Sequence, residues 1–192
     1  MRRHHLFSSC LLLACAALSA CVTPLLPGCT RFGRSGQVCL LPPAALPTVD
    51  AVHLVSVTRD GHTDTFLGQL HIDAKDLRLA GSSLFGTGLF TLSYDGSQVT
   101  VQPDESQLPA DKLVVMLELA LLPPEQLRPR LHELDLGISQ EGTDEIRDIS
   151  EHGHLIVHIV RGAGPLAEAP LQIDVPPLKL SVKMTAASTP QP

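Results

Sequence analysis

The histidines at positions 152, 154 and 158 are the side chains whose type and spacing come nearest to a metal site. On a strand, His154 and His158 would share a face, so two imidazoles could bind one ion. The alternative is that these histidines lie on a polar strand face beside a turn. We favour this alternative, and the sequence predicts neither a metal nor another cofactor.

Motifs for nucleophilic or phosphate chemistry are incomplete in this chain. The run Gly81-Ser82-Ser83-Leu84 lacks the last glycine of a hydrolase serine turn. His132-Glu133 is followed by Leu136 instead of the histidine of a zinc-protease motif. Gly86 and Gly88 lack the third glycine of a phosphate-binding loop. The sequence thus predicts no catalytic residue, and an enzyme ranks behind a binding module and a structural protein.

The amino-terminal residues are typical of a secretion leader. A basic stretch from Arg2 to His5 precedes the apolar run 6–17, which is shorter than the about 20 residues that span a bilayer. The sequence Leu18-Ser19-Ala20-Cys21 follows and resembles the bacterial lipobox, in which the leader is cut before an acylated cysteine. The resemblance implies a leader over residues 1–20 and lipidation of Cys21. The alternative is a plain signal peptide with a chance cysteine.

Acylation of Cys21 would attach the protein to a membrane through its amino-terminal acyl chains. Each buried CH₂ contributes about 0.8 kcal/mol, so several chains anchor a protein essentially permanently. The residue after the cysteine is Val22, not the aspartate that usually retains such proteins in the inner membrane. The resemblance therefore implies an outer-membrane location, and we expect the protein to face the periplasm.

Cys29 and Cys39 are the cysteines that remain after the leader and Cys21. In an oxidising compartment we predict a disulfide between them, which would contribute about 2–3 kcal/mol by restricting the unfolded chain. Two free thiols or a metal-binding pair are the alternatives.

The charge balance excludes one class of partner. The chain carries 14 basic and 20 acidic side chains, and removal of Arg2 and Arg3 with the leader leaves 12 against 20. Such a net negative charge repels phosphate, so we predict no nucleic-acid partner. Hydrophobic residues make up 44% of the chain and aromatic ones 3%, which predicts an aliphatic core.

Residues 21–50 contain five prolines and three glycines without a helical or alternating apolar period. We interpret them as the lipidated cysteine followed by a flexible tether. The folded domain is predicted over 51–185, and residues 186–192 are predicted to be a loose tail.

Alternating apolar residues over 51–102 predict a run of antiparallel strands, with Asp95-Gly96 suited to a type I′ hairpin turn. The period then changes to that of a helix from Leu113 to Leu121, and Pro123-Pro124 separate a second predicted helix through Leu127, Leu131 and Leu134. Pro129 lies inside this second stretch and predicts a kink or a short helix. Strands return after Gly137. Helices inserted at about 108–135 would cover the apolar face of the sheet. The predicted fold is mainly β with α: a curved antiparallel sheet or half-open barrel with an inserted helical lid.

An aromatic cluster is the best candidate for a binding site. Phe66, Phe85, Phe90 and Tyr94 lie within 29 residues of one another. We predict that they line a hydrophobic pocket with Leu92 and with Leu113, Met116 and Leu117 of the helix. The alternative is that they only fill the core.

Phe85 to Gly96, the Leu/Pro-rich segment at 108–131 and the lipobox resemble an uncharacterised family of bacterial lipoproteins, over about residues 50–184. Members of that family are often encoded beside aryl-polyene or xanthomonadin-type pigment genes. The family is similar in architecture to LolA and LolB, carriers that hold lipoprotein acyl chains in an open barrel under a helical lid. The resemblance implies an apolar small-molecule or lipid cargo. The alternative is a scaffold lipoprotein with a filled core and an envelope protein as partner.

Overall fold

The computed structural model describes residues 25–103, 110–165 and 168–187. The predicted leader, Cys21 and most of the predicted tail lie outside the described residues, as do residues 108 and 109 at the start of the predicted insertion. Within the three described ranges, no helix is long and apolar enough to cross a membrane.

The strands form two antiparallel sheets. The small sheet contains β1 (Cys29–Arg31), β2 (Gln37–Cys39) and β8 (Leu131–His132), in that order. The large sheet contains ten strands, which in chain order are β3 (Val49–Arg59), β4 (His62–Ile72), β5 (Leu77–Ser82), β6 (Gly88–Tyr94), β7 (Val99–Gln102), β9 (Asp135–Glu141), β10 (Asp144–Glu151), β11 (His154–Arg161), β12 (Leu171–Val175) and β13 (Leu180–Ala186).

The large sheet is open. Its strand order is β7-β6-β5-β4-β3-β13-β12-β11-β10-β9, so β7 and β9 are its two edges and do not pair with each other. The prediction of a mainly β fold built on an antiparallel sheet is confirmed, and so is the antiparallel run over 51–102. The pairing of β13 with β3 joins the two ends of the domain sequence at the centre of the sheet.

Alternation along β3 explains why one face of the sheet is buried. Val49, Ala51 and Val55 are buried, whereas Val52 and Leu54 between them are exposed. Successive side chains of a strand point to opposite faces, so this strand has an apolar inner face that needs a cover.

Two-residue turns of the type I′ class close two hairpins of the sheet. One is His152-Gly153, with φ of 50° and 78°, between the direct partners Glu151 and His154. Asp60 and Gly61 have φ of 50° and 84° and connect Arg59 to its direct partner His62. The predicted type I′ turn at Asp95-Gly96 is wrong. Tyr94 pairs with Val99 across a four-residue loop, because the Asp95 carboxylate accepts backbone hydrogen bonds from residues 97 and 98 and holds the longer loop.

Helix α1 (Ala110–Leu121) covers part of the inner face. Its Leu, Met, Ala and Glu residues favour a helix, and Asp111 lies in its first turn, where the helix dipole favours negative charge. All residues from Val114 to Leu121 are buried. Eight consecutive residues of a helix point to all of its sides, so other parts of the chain must cover the sides that face away from the sheet.

The second predicted helix is short, as Pro129 within it predicts. Helix α2 (Pro124–Leu127) is followed by a 3₁₀ turn over Arg128–Arg130, and Leu131 is already in β8, paired with Val38. Pro129 lacks the N–H that a continuing helix needs, and the chain therefore extends after Arg130.

The predicted tether is folded from Cys29 onward, which corrects the boundary of the domain. Phe32, Val38, Leu41 and Leu46 are buried in the same core as the large sheet and α1. These residues supply the cover for α1 that the inserted helices alone do not provide. The glycines and prolines of this segment lie in turns and in a 3₁₀ turn at Pro43–Ala45. The described residues 29–50 are therefore part of the folded domain and not a flexible linker.

A disulfide joins Cys29 to Cys39, directly opposite each other in β1 and β2. The predicted pairing is therefore present in the structure. It closes the small hairpin whose strand β2 pairs with β8 after the helices.

Glu151 at the end of β10 holds the β1–β2 turn. Its carboxylate accepts hydrogen bonds from the backbone N–H groups of Arg34, Ser35 and Gly36 and from the Ser35 hydroxyl. Burial acts to raise the pKa of Glu151, but these hydrogen bonds outweigh it and lower the pKa to about 2. The turn is thus fixed to the large sheet by an ionised side chain.

We expect Glu151→Gln to lower the free energy of unfolding at neutral pH by about 2–3 kcal/mol, because an amide accepts these hydrogen bonds less well than a carboxylate. Since the folded pKa lies below the ordinary 4.5, the contribution of Glu151 is complete above pH 4.5 and is lost as the pH falls towards about 2. Urea unfolding at several pH values measures this difference. Glu141→Gln, at an exposed position of β9, is the control and should change stability little. Equal effects of the two substitutions would contradict the assignment.

Candidate ligand cavity between helix α1 and the sheet

A cavity of about 610 Å³ lies between α1 and the inner face of the large sheet. This volume is within the about 300–1,000 Å³ range of small-molecule sites. Strands from both halves of the chain contribute to its walls. The lining residues are Val55, Val57, Arg59, Asp60, His62, Asp64, Phe66, Leu79, Phe90, Val101, Leu113, Met116, Leu117, Ile173, Leu180, Val182 and Met184.

Two aromatic rings form one wall. Phe66 on β4 and Phe90 on β6 pack edge to face with ring centroids 5.6 Å apart and an interplanar angle of 80°. Between their strands, the Phe90 ring lies against Gly81 of β5, where a side chain would collide with it. The glycine therefore sets the position of Phe90.

Helix α1 supplies the facing wall through Leu113, Met116 and Leu117. Their spacing of three and four residues places them on one side of a helix. Thioether and aliphatic side chains give this wall no fixed hydrogen-bonding pattern, and Met is well suited to surfaces that must adapt in shape.

The structure brings together five of the predicted pocket residues and separates three. Phe66, Phe90, Leu113, Met116 and Leu117 line the cavity. Leu92 and Tyr94 share the inner face but are buried in the core beyond it, with exposed fractions of 0% and 4%.

Phe85 does not contribute to the cavity. It lies in the loop between β5 and β6 and is 98% exposed. The next residue, Gly86, has a φ of 85° that lets the loop turn at this point, so that Phe85 projects from the sheet and does not continue the alternation of Phe90. The prediction that Phe85 lines the pocket is therefore wrong.

The wall formed by β12 and β13 is not among the predicted pocket residues. Ile173, Leu180, Val182 and Met184 line the cavity, and Val182 pairs directly with Val57. The alternation of Leu180 and Val182 was visible in the sequence, but the pairing of β13 with β3 joins segments more than a hundred residues apart and has no local signal.

One end of the cavity is polar. Arg59 and His62 are direct partners across the β3–β4 hairpin, and both line the cavity with Asp60 and Asp64. Asp60 lies 4.0 Å from the Arg59 guanidinium and 3.6 Å from the Lys179 ammonium. The remaining wall is apolar.

Glu118 contacts the folded tether on another side of α1. It is 1% exposed, and its carboxylate oxygens accept the backbone N–H of Leu41 at 3.0 and 3.2 Å. Burial raises the pKa of Glu118 to about 7, although the hydrogen bond from Leu41 and the charge of Arg130 act to lower it. Burial also raises the pKa of Tyr94, and the charge of Glu118 adds to this effect. This carboxyl group couples the helix that lines the cavity to the segment that covers it.

The raised pKa of Glu118 predicts that part of the stability is lost as the pH rises. The folded state retains its proton above the ordinary pKa of 4.5, so the contribution of this group is largest below pH 4.5 and declines as the pH passes about 7. The full change is about 3 kcal/mol in the free energy of unfolding. Glu118→Gln keeps an acceptor for Leu41 and removes the titration. Urea unfolding of both proteins across this range measures the effect, and a constant difference between them would contradict it.

Within the described ranges, one cluster of side chains could supply three metal ligands. It consists of Cys29, Cys39 and His132, whose ligand atoms lie within 4.8 Å of one another. The two sulfur atoms are bonded to each other, and a disulfide sulfur is a poor metal ligand. His158 is paired with Asp148 at 2.7 Å, and His154 is the direct partner of Glu151 across β10 and β11.

Comparison with known proteins gives one family match. Residues 50–185 match the model of a family described as "Protein of unknown function (DUF3261)". No curated protein matches the chain. The matched residues contain the whole large sheet except Val49 and Ala186, together with α1 and all the residues that line the cavity.

Proposed function

The chain belongs to this family of unknown function, and we propose from its cavity that it is a carrier: an outer-membrane-anchored periplasmic lipoprotein that binds or passes on a hydrophobic cargo, an acyl or polyene-like chain. The observation that carries the proposal is the apolar cavity of about 610 Å³ between α1 and the sheet. A concave site of this volume, with apolar walls and a few polar groups at one end, is typical of small-molecule binding.

The proposed anchor rests on the leader-like residues 1–20 and on Leu18–Cys21, which resemble a lipobox. Acyl chains on Cys21 would hold the protein at the membrane, and the residue Val22 favours sorting to the outer membrane. The described residues begin at position 25, four residues after Cys21, and the first strand of the small sheet begins at Cys29. The folded domain would therefore lie close to the membrane surface, at a distance set by only a few residues.

The proposed architecture is that of a sheet with a helical lid, as in LolA and LolB. Helix α1 would be the lid, with the cargo between it and the inner face of the open sheet. The Glu118–Leu41 hydrogen bonds attach this lid to the folded tether. Transfer would require no bond chemistry, only displacement of α1 and partition of the chain between two apolar sites. We propose no catalytic residue, metal or cofactor.

A scaffold function is the second candidate, supported by the outer face of the sheet. Val52, Leu54 and Leu89 are 45%, 38% and 44% exposed. Val52 and Leu89 line a groove of about 360 Å³ on that face. Exposed apolar surface of this kind is typical of protein interaction sites, and an envelope protein would be the partner.

Titration with the uncharged fluorescent probe N-phenylnaphthylamine tests the carrier proposal. The full chain carrying Cys21→Ser would be used, so that the expected acyl anchor cannot occupy the cavity. We expect saturable binding of one probe per chain, with the blue-shifted emission of an apolar site. Emission that stays linear with probe concentration and never saturates would favour the scaffold.

A further inference from the structure

The charged residues of the cavity are grouped at one end of its walls. Arg59 and His62 face each other in the last pair before the β3–β4 turn, and Asp64 lies on the same face, opposite Val57. The next inner-face pair is Val55 and Phe66, where the wall becomes apolar.

Both signs of charge are present at this end. Arg59 and Lys179 carry positive charge, while Asp60 lies between them and Asp64 lies deeper along the wall. Asp64 is exposed, and its register position places it beside Phe66 on the cavity wall. The side chains of Arg59, Asp60 and Lys179 are 42%, 64% and 77% exposed, so this end of the cavity opens to solvent. The head group of an amphiphile could stay hydrated there, whereas a wholly apolar ligand would leave the polar end unused.

We propose, building on the carrier function, that the cavity takes a single-chain zwitterionic amphiphile of the lysophospholipid class. The apolar chain lies between α1 and the aromatic wall, and the head group lies at the β3–β4 turn. A head with only negative charge would meet the Asp64 carboxylate, and one with only positive charge would meet the Arg59 guanidinium, since both residues line the cavity. A zwitterion offers each of these groups an opposite charge.

Competition between ligands of equal chain length tests the proposal. N-phenylnaphthylamine bound to the full chain carrying Cys21→Ser would be displaced, below micelle-forming concentrations, by palmitoyl lysophosphatidylethanolamine, hexadecanoate, hexadecyltrimethylammonium and hexadecane. We expect the lysophospholipid to bind about tenfold more tightly than either singly charged ligand, because its head group makes one more charge-assisted hydrogen bond.

Reciprocal substitutions locate the head group. Asp64→Asn should raise the affinity for hexadecanoate relative to the lysophospholipid, and Arg59→Gln should do the same for hexadecyltrimethylammonium. Thr65→Asn changes the neighbouring residue on the outer face and should leave the ranking unchanged. Equal binding of hexadecane and the lysophospholipid, or a ranking that Asp64→Asn and Arg59→Gln do not alter, would overturn the proposal and leave the carrier function standing. Failure of every ligand would overturn both.

Discussion

Replacement of Arg147 by methionine is expected to lower the free energy of unfolding by about 3–5 kcal/mol. Arg147 lies on the inner face of β10 and is 1% exposed. Its Nη1 donates to the carbonyl oxygens of Leu119 and Leu122, at 2.7 and 2.6 Å, at the end of α1. Its Nε and Nη2 both lie 2.6 Å from the Glu145 carboxylate. Methionine fills similar space but leaves these partners without a donor.

Urea unfolding of the Arg147→Met protein measures the loss. Arg78→Met is the matched control, because Arg78 pairs with Asp76 at an exposed position and such pairs contribute at most about 1 kcal/mol. Arg147→Met should also weaken cargo binding, because Arg147 holds the carboxyl-terminal end of the helix that lines the cavity. An Arg147→Met protein as stable as Arg78→Met would show that the helix end is held by other contacts.

Filling the cavity with two tryptophans is expected to lower the affinity for N-phenylnaphthylamine by about a hundredfold, because the indoles occupy the space of the ligand. Val57 and Val182 are direct partners on the inner face, and both line the cavity. The variant Val57→Trp/Val182→Trp places two large rings there without burying a charge.

The control places the same two residues one position away. Thr58 and Ser181 are also direct partners but belong to the outer face. Thr58→Trp/Ser181→Trp should bind the probe as the parent does. The natural chain contains no tryptophan, so each variant reports its own environment. We expect blue-shifted emission from the inner pair only. Equal affinities in the two variants would place the ligand outside the cavity.

The sequence predicted the local features of the fold well. Alternation along 51–102 was sufficient to identify the strands, and helical spacing identified α1 with its three cavity residues. These signals are local, because burial of one face imposes a period of two or of 3.6 on neighbouring residues. The polar end had a local signal too. Alternate residues of a strand share a face. Arg59 therefore lies on the same face as Val55, and His62 and Asp64 lie on the same face as Phe66.

Other features could not be predicted because they depend on distant partners. The segment from Cys29 to Asp50 resembles a linker by composition, yet Glu151 and Glu118 hold it through hydrogen bonds across more than seventy residues of sequence. Phe85 was assigned to the pocket by residue type alone, although Gly86 turns the chain away from the sheet. In both cases the neighbours in space decided the outcome, not the amino-acid composition.

Native mass spectrometry of residues 22–192, secreted without Cys21 to the periplasm of a bacterial host, tests the central claim most directly. Organic extraction of the same sample would identify the bound compound. The carrier proposal predicts a stoichiometric mass increase from an apolar chain, absent from the Val57→Trp/Val182→Trp protein and retained by Thr58→Trp/Ser181→Trp. A ligand-free mass for the parent protein, with no compound in the extract, would contradict the proposal and favour a scaffold with a protein partner.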